Sequence, residues 1–228
     1  MKGEEFTSPV KTIASSYGYN VDELAAARLA MKPLKQLKAN STKRAAMIEE
    51  NRIAFFGDSE NKLVGLFNNS NVTEVTVAAD GTGNSKAFST KTADNMVRDI
   101  TNLPTQIREL TNGVEYADTL LLPLSQWNLL ANKRLPDTQI SVRKWIMQEN
   151  PDLKQIKWVS ELKTAGAGNT TRMFAYRYDP DCLQMVIASE FRQLPVQELN
   201  LEYRVPCHMR IGGVLLYYPL SCAYSDGI

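Results

Sequence analysis

One histidine, three cysteines and no apolar run of membrane length make this 228-residue chain poor in the side chains that catalysis, metal binding and membrane insertion usually require. With His208 the only histidine, no histidine-based metal cluster exists, and at most one imidazole could serve as a base. Cys182, Cys207 and Cys222 are odd in number and not spaced as a metal site, so buried, reduced thiols are expected. The best apolar stretch, Thr119 to Leu124, has strand length, well short of the roughly 18 residues of a membrane span. Met1-Lys2-Gly3-Glu4-Glu5 offers no apolar signal region, which points to an origin in the cytoplasm. A net charge of +1 with 22% charged residues gives no global basic field for nucleic acid. Gly81-Thr82-Gly83 and Gly166-Ala167-Gly168 lack the third glycine and following helix of a dinucleotide loop, so they read as turns. Neither a cofactor nor a metal is expected.

The remaining candidates for chemistry are thin. Cys207 and His208 are adjacent, and neighbours in a strand point to opposite faces, so they would not share a site. Asp179-Pro180-Asp181 could approach a cation but reads as a turn. Ser160-Glu161-Leu162-Lys163 has the Ser-x-x-Lys spacing of serine–lysine acylases, which leaves a small hydrolase using Ser160 and Lys163 as an alternative.

What the chain does contain is a long helical stretch. Asn20 suits an N-cap, with Glu23 three residues later able to reach back to its amide. From there to Gly57 the sequence predicts one long, kinked helix, with Leu34, Leu37, Ser41, Ala45, Ile48, Arg52 and Phe55 on one face. Pro33 predicts a kink or short break. Arg28, Lys32, Lys35, Lys38, Lys43 and Arg44 give this spine a basic run: either a solvated face or a surface for acidic partners or packaged nucleic acid. On the latter reading Lys35 and Lys38 would carry a salt-dependent affinity.

Residues 1–19, including Phe6, show no period and read as extended or loose. Val72 to Ala79 reads as a strand, and Thr92 caps a helix to about Thr111 with Met96, Ile100, Leu103, Ile107 and Leu110 on one face. After that the elements shorten. Thr119 to Pro123 reads as a strand buried on both faces; Ser125 and Ser141 open short helices; Lys157-Trp158-Val159, Arg172 to Arg177 and Leu183 to Ile187 read as strands. Arg192 to Val205, with Pro195, reads as an extended edge arm, and Gly213 to Tyr224 as a final strand.

Several blocks together resemble a known family. The spine ends Glu49-Glu50-Asn51-Arg52-Ile53-Ala54-Phe55-Phe56-Gly57-Asp58, and Gly65-Leu66-Phe67-Asn68-Asn69 follows. Then come Ala117-Asp118-Thr119-Leu120-Leu121-Leu122-Pro123, Leu162-Lys163-Thr164-Ala165-Gly166-Ala167-Gly168 and Arg172-Met173-Phe174-Ala175-Tyr176. Gln193-Leu194-Pro195-Val196-Gln197 and the stretch from Gly212-Gly213 to Gly227-Ile228 complete the set. Their order resembles a prophage-encoded family of major capsid proteins with the Hong Kong 97 phage fold, over about residues 20–228.

The resemblance implies an α+β fold: a spine helix with a β-arm, and a compact mixed α/β axial domain. It would divide the chain into a peripheral part, 1–112 and 188–212, and an axial part, 113–187 and 213–228. It implies a non-enzymatic shell subunit that self-assembles into pentamers and hexamers enclosing a genome, made in the bacterial host cytoplasm and residing in the virion capsid. Scaffold, protease and portal proteins would be further partners, genomic DNA would be met only by weak non-specific contact, and no membrane would be involved. An encapsulin-type compartment shell is the nearest alternative, and it would need an inward groove for a cargo peptide. The family carries an N-terminal arm and extended loop ahead of the spine, whereas about twenty residues precede it here, so a fragment or processed form is expected. Candidate subunit contacts are Lys35, Lys38, Lys43 and Arg44 on the spine, and Arg192, Gln197, Glu198, Glu202 and Arg204 on the arm.

Overall fold

Backbone hydrogen bonding divides the protein between two sheets, each in its own compact unit. The computed structural model describes residues 8–136 and 138–228. The expectations for residues 1–7, Phe6 among them, lie outside the described residues. Among the described residues, one unit comprises 8–68 and 185–215, the other 69–136, 138–184 and 216–228.

In the first unit, β1 (Lys11–Asn20) pairs antiparallel along its whole length with β8 (Glu202–Leu216). β8 is central, with β6 (Leu183–Gln193) on its other side and the short β7 (Gln197–Leu199) also paired to it. Of the two readings of this stretch, extended or loose, Lys11–Asn20 takes the extended one, as a strand. Its alternation is real: Ile13, Tyr17 and Tyr19 face the core opposite Met209, Val205 and Tyr203. The expected extended arm from Arg192 to Val205 is instead a hairpin. The chain leaves β6, passes Pro195, forms β7 and turns at Asn200 (φ 57°) into β8.

The spine is two helices, α1 (Val21–Leu29) and α2 (Leu34–Phe56), separated where Pro33 predicts a break. Asn20 caps α1 by accepting the Glu23 amide at 2.6 Å. α2 stops at Gly57, whose φ of 70° a side chain would strain, and whose added Cβ would lie 2.3 Å from the Leu63 carbonyl. Asn68 then ties the segment after the helix back to its end. Its side chain accepts the Gly65 amide at 2.7 Å and donates to the Phe56 carbonyl at 2.6 Å. That is the physical content of the Gly-Leu-x-Asn block.

The buried face of α2 differs from the expected one. Ala46 and Ile53 are buried against Met209 and Ile211, with Leu34 packed further along, whereas Leu37 is 55% and Ile48 61% exposed. The true face is rotated by about one residue, roughly 100°. Small Ala46 lets the helix approach the sheet closely, and the larger Ile48 is left outside.

The second unit holds a five-stranded sheet of order β2-β9-β5-β3-β4. Its members are β2 (Thr73–Glu74), β3 (Thr119–Leu122), β4 (Gln155–Trp158), β5 (Arg172–Tyr176) and β9 (Cys222–Asp226). β3 and β5 are buried at every residue, as their apolar sequences predict. α3 (Ala93–Leu110), capped by Thr92, packs Met96, Ile100, Leu103 and Ile107 into the core at 0% exposure. Leu110, at 49%, falls off that face. Pro104 lies within α3 and does not end it. α4 (Leu124–Asn132) begins after Pro123, so Ser125 lies in its first turn rather than at its cap, and α5 (Val142–Glu149) is capped by Ser141.

Two expected strands differ from those observed. Only Thr73–Glu74 of the expected strand 72–79 is in a ladder. The backbone beyond it bonds elsewhere, the Val75 amide to Tyr224 and its carbonyl to the Ser225 hydroxyl, while Lys91 takes the Ala78 carbonyl. The expected final strand 213–224 is split, β8 ending at Leu216 and Pro219 opening a single 3₁₀ turn before β9. Residues 69–112 lie in the second compact unit, where the apolar face of α3 has its partners.

Candidate functional site

No side-chain constellation in the described residues has the form of a reaction centre. His208 and Cys207 lie on opposite faces of β8: Cys207 packs inward with Tyr19 and Val205, and His208 points to the other face. Ser160 and Lys163 are both exposed on one 3₁₀ turn (Ser160–Lys163), with no hydrogen bond between them. Asp179 forms the expected turn, accepting the Asp181 amide at 3.0 Å and pairing with Arg177 at 2.9 Å. Among the described residues no three His, Cys, Asp or Glu side chains are grouped to hold a metal ion, and no helix is long and apolar enough to cross a membrane.

The three cysteines are buried and free. Burial pushes the Cys222 thiol from 9.0 up to about 12, and burial likewise pushes the neighbouring Tyr176 phenol from 10.0 up to about 12. Both groups stay protonated in the folded chain at pH values where they ionise once unfolded. Their contribution to stability is therefore complete below about pH 9 and is lost as pH rises toward 12. A series of thermal melts from about pH 8 to 11 is expected to show a falling Tm, with a shallower fall in Cys222→Ala. A flat profile would contradict this placement of the two groups.

What remains as a functional surface is the exposed part of the first unit, where all nine candidate contact residues lie. They are not brought together as one patch. Lys38 is half-buried and already engaged, donating to the Gly18 carbonyl at 2.7 Å and pairing with Glu23 at 2.7 Å. That contact, followed by the Asn20 amide, holds the Glu23 carboxyl below its ordinary range. Lys35 lies 5.5 Å from the centre of the Tyr19 ring. Lys43 and Arg44 are exposed, but on an ideal helix Arg44 is about 180° around from Lys35. The basic run thus wraps the helix rather than forming a stripe.

On the hairpin, Arg192, Gln197, Glu198, Glu202 and Arg204 are all exposed. Gln197 pairs across the ladder with Arg204, and Leu199 with Glu202. Arg204 and Glu202 approach only to 4.0 Å. Between β1 and α2 runs a shallow groove of about 370 Å³, lined by Ile13, Ser15, Thr42, Ala45, Glu49 and Phe191 among others. Charge reasoning missed the exposed apolar residues of this surface: Leu29, Met31, Met47, Ile48, Leu199 and Leu201. A leucine has the same letter inside and outside, so only the rotation of α2 and the hairpin turn reveal them.

The model of the family described as major capsid protein matches residues 1–228. No curated protein matches the sequence. Among solved structures, the capsid of Myoviridae phage XM1 is similar at 19% identity and TM-score 0.83, covering 97% of this chain and 74% of that one. The capsid of a native GTA particle is similar at 11% identity and TM-score 0.68, covering 97% and 73%. A virus-like particle from Pyrococcus furiosus is similar at 7% identity and TM-score 0.58, covering 95% and 77%. At these identities the likeness shows a fold, and the fold is the Hong Kong 97 type.

Proposed function

Because this chain belongs to the major capsid protein family, and is a shell subunit of phage type, we propose that it closes into rings of five and six copies. In this reading the first unit is the peripheral part and the second the axial part that faces the ring axis. The observation that carries it is the contrast between the two units. In the second, β3 and β5 are buried at every residue and α3 packs one apolar face into the core, whereas the first leaves much of a 23-residue helix and the tip of a hairpin uncovered. The unpartnered apolar and charged edges of the first unit suit assembly with copies of itself.

The absence of a basic stripe on α2 limits contact with an enclosed genome to a weak, non-specific kind. Scaffold, protease and portal proteins are the accessory partners such a subunit would meet, in a shell made in the host cytoplasm and carried in the virion. The family match favours a phage shell over an encapsulin-type compartment. Size-exclusion chromatography with light scattering, and negative-stain microscopy of the same fractions, tests the reading. Rings or closed shells are expected. A monomer that persists across protein and salt concentrations would overturn it.

A further inference from the structure

The break between α1 and α2 holds two large apolar side chains almost wholly in solvent. Leu29 is 89% exposed and Met31 93%, and the chain places a cation on each side of them, Arg28 and Lys32. Met31 has φ 53°, the left-handed region that a residue with a Cβ avoids. The turn is held by the helix stop itself, the Met31 amide donating to the Arg28 carbonyl at 3.1 Å and the Lys32 amide to the Ala27 carbonyl at 2.9 Å, and it presents both side chains to solvent.

The hairpin tip between β7 and β8 has the same arrangement with the charges inverted. Leu199 is 48% and Leu201 75% exposed, flanked by Glu198 and Glu202, and Asn200 turns the chain between them at φ 57°. One loop reads basic–apolar–small–apolar–basic, the other acidic–apolar–polar–apolar–acidic. Among the described residues Arg28, Lys32 and Glu198 form no ion pair, and Glu202 has only the 4.0 Å approach to Arg204. No acidic residue occurs between Leu24 and Ile48 to neutralise the first loop locally.

We propose that these loops are the two halves of one contact between copies of this chain. The Leu29/Met31 knuckle of one copy seats on the Leu199/Leu201 tip of the next, with Arg28 and Lys32 against Glu198 and Glu202. The inference rests on the self-assembling reading above and names the surfaces that perform it. Both halves are fixed to the same helix. The Val21 amide donates to the Leu201 carbonyl at 3.1 Å, so the tip is anchored where α1 begins, and the knuckle lies where that nine-residue helix ends. The separation is roughly 13 Å at 1.5 Å per residue. Each copy therefore offers a socket and a plug in fixed relation, the requirement for a heterologous contact that closes around an axis. Two five-residue loops cover far less than the roughly 800 Å² per partner of a stable pair. A single contact is weak, and ring closure multiplies it. Charge at such a contact sets partner and register.

Four forms of the full chain test this: wild type, Arg28→Glu/Lys32→Glu, Glu198→Lys/Glu202→Lys, and the fourfold combination. Each is checked for an unchanged far-ultraviolet spectrum and then measured by light scattering and negative-stain microscopy. Each double variant juxtaposes like charges and is expected to lose assembled material by about tenfold or more. The fourfold variant restores opposite charges and is expected to recover it. Double variants that assemble as wild type does, loss from only one of the two loops, or a folded fourfold variant that fails to recover would each overturn the contact. A wild type that never assembles would instead overturn the subunit reading, and this contact with it.

Discussion

Replacing Asp99 by alanine is expected to destabilise the second unit by about 3–5 kcal/mol, the scale for stranding a buried charge. The Lys91 side chain has no exposure to solvent, and its ammonium is fully satisfied. It donates to Asp99 at 2.5 Å, to the Ala78 carbonyl at 2.6 Å and to Asp80 at 3.1 Å. Arg98 bonds the other oxygen of Asp99 at 2.7 Å and Asp80 at 2.5 Å, so two cations and two carboxylates neutralise one another. The Arg98 contact, followed by that of Lys91, holds the Asp80 carboxyl below its ordinary range. Without Asp99, the buried ammonium retains as its carboxylate partner only Asp80, which is itself partly in solvent. Urea denaturation measures the loss. Lys91→Met combined with Asp99→Leu removes both charges together and is expected to recover most of it, since an apolar pair of similar volume is close to neutral in such sites. A single-variant cost below about 1 kcal/mol would contradict the placement of Lys91.

Phe88→Ala is expected to cost a similar amount, about 3–5 kcal/mol, by leaving a cavity. Phe88 is 0% exposed in a single 3₁₀ turn (Phe88–Thr90) just ahead of α3, and it packs into the cluster that contains Met96, Ile100 and Leu103. It anchors a long irregular segment that is also held by Lys91, 6.0 Å from its ring centre, and by the bonds of Val75 to Tyr224 and Ser225. Because Phe88 and Lys91 touch, Phe88→Ala and Asp99→Ala are expected to be non-additive. Phe88→Leu, which keeps most of the volume, should cost about 1.5 kcal/mol or less. Hydrogen exchange would locate the effect. Protection is expected to fall first between Val75 and Lys91, and a loss confined to α3 would contradict the anchoring role.

The same segment marks the limit of what the sequence reveals. α3, α5, β3 and β5 were legible because period, caps and apolar content agreed at each of them. The path of residues 75–79 was not, because Val75 bonds Tyr224 and Ser225, about 150 positions further on, and the Ala78 carbonyl takes the Lys91 ammonium, and no local pattern encodes that. β1 was left between extended and loose because Ser15, Ser16 and Gly18 mask an alternation carried by only three large residues. The face of α2 was misplaced because Leu37 and Ile48 are apolar yet exposed. Sequence periodicity cannot separate a core face from one that awaits a partner. For the same reason the charged half of the candidate surface was readable and its apolar half was not. The order of the motif blocks pointed to the family, and Asn68 with Gly57 and Gly65 now gives two of those blocks a physical reason.

The most direct measurement is a cryo-electron microscopy map of the rings or shells formed by the wild-type chain. The account predicts residues 69–184 nearest the ring axis, with the Leu29/Met31 knuckle of one copy against the Leu199/Leu201 tip of the next. A map with the β1-β8-β6 sheet on the axis, or with both loops in solvent, would contradict it.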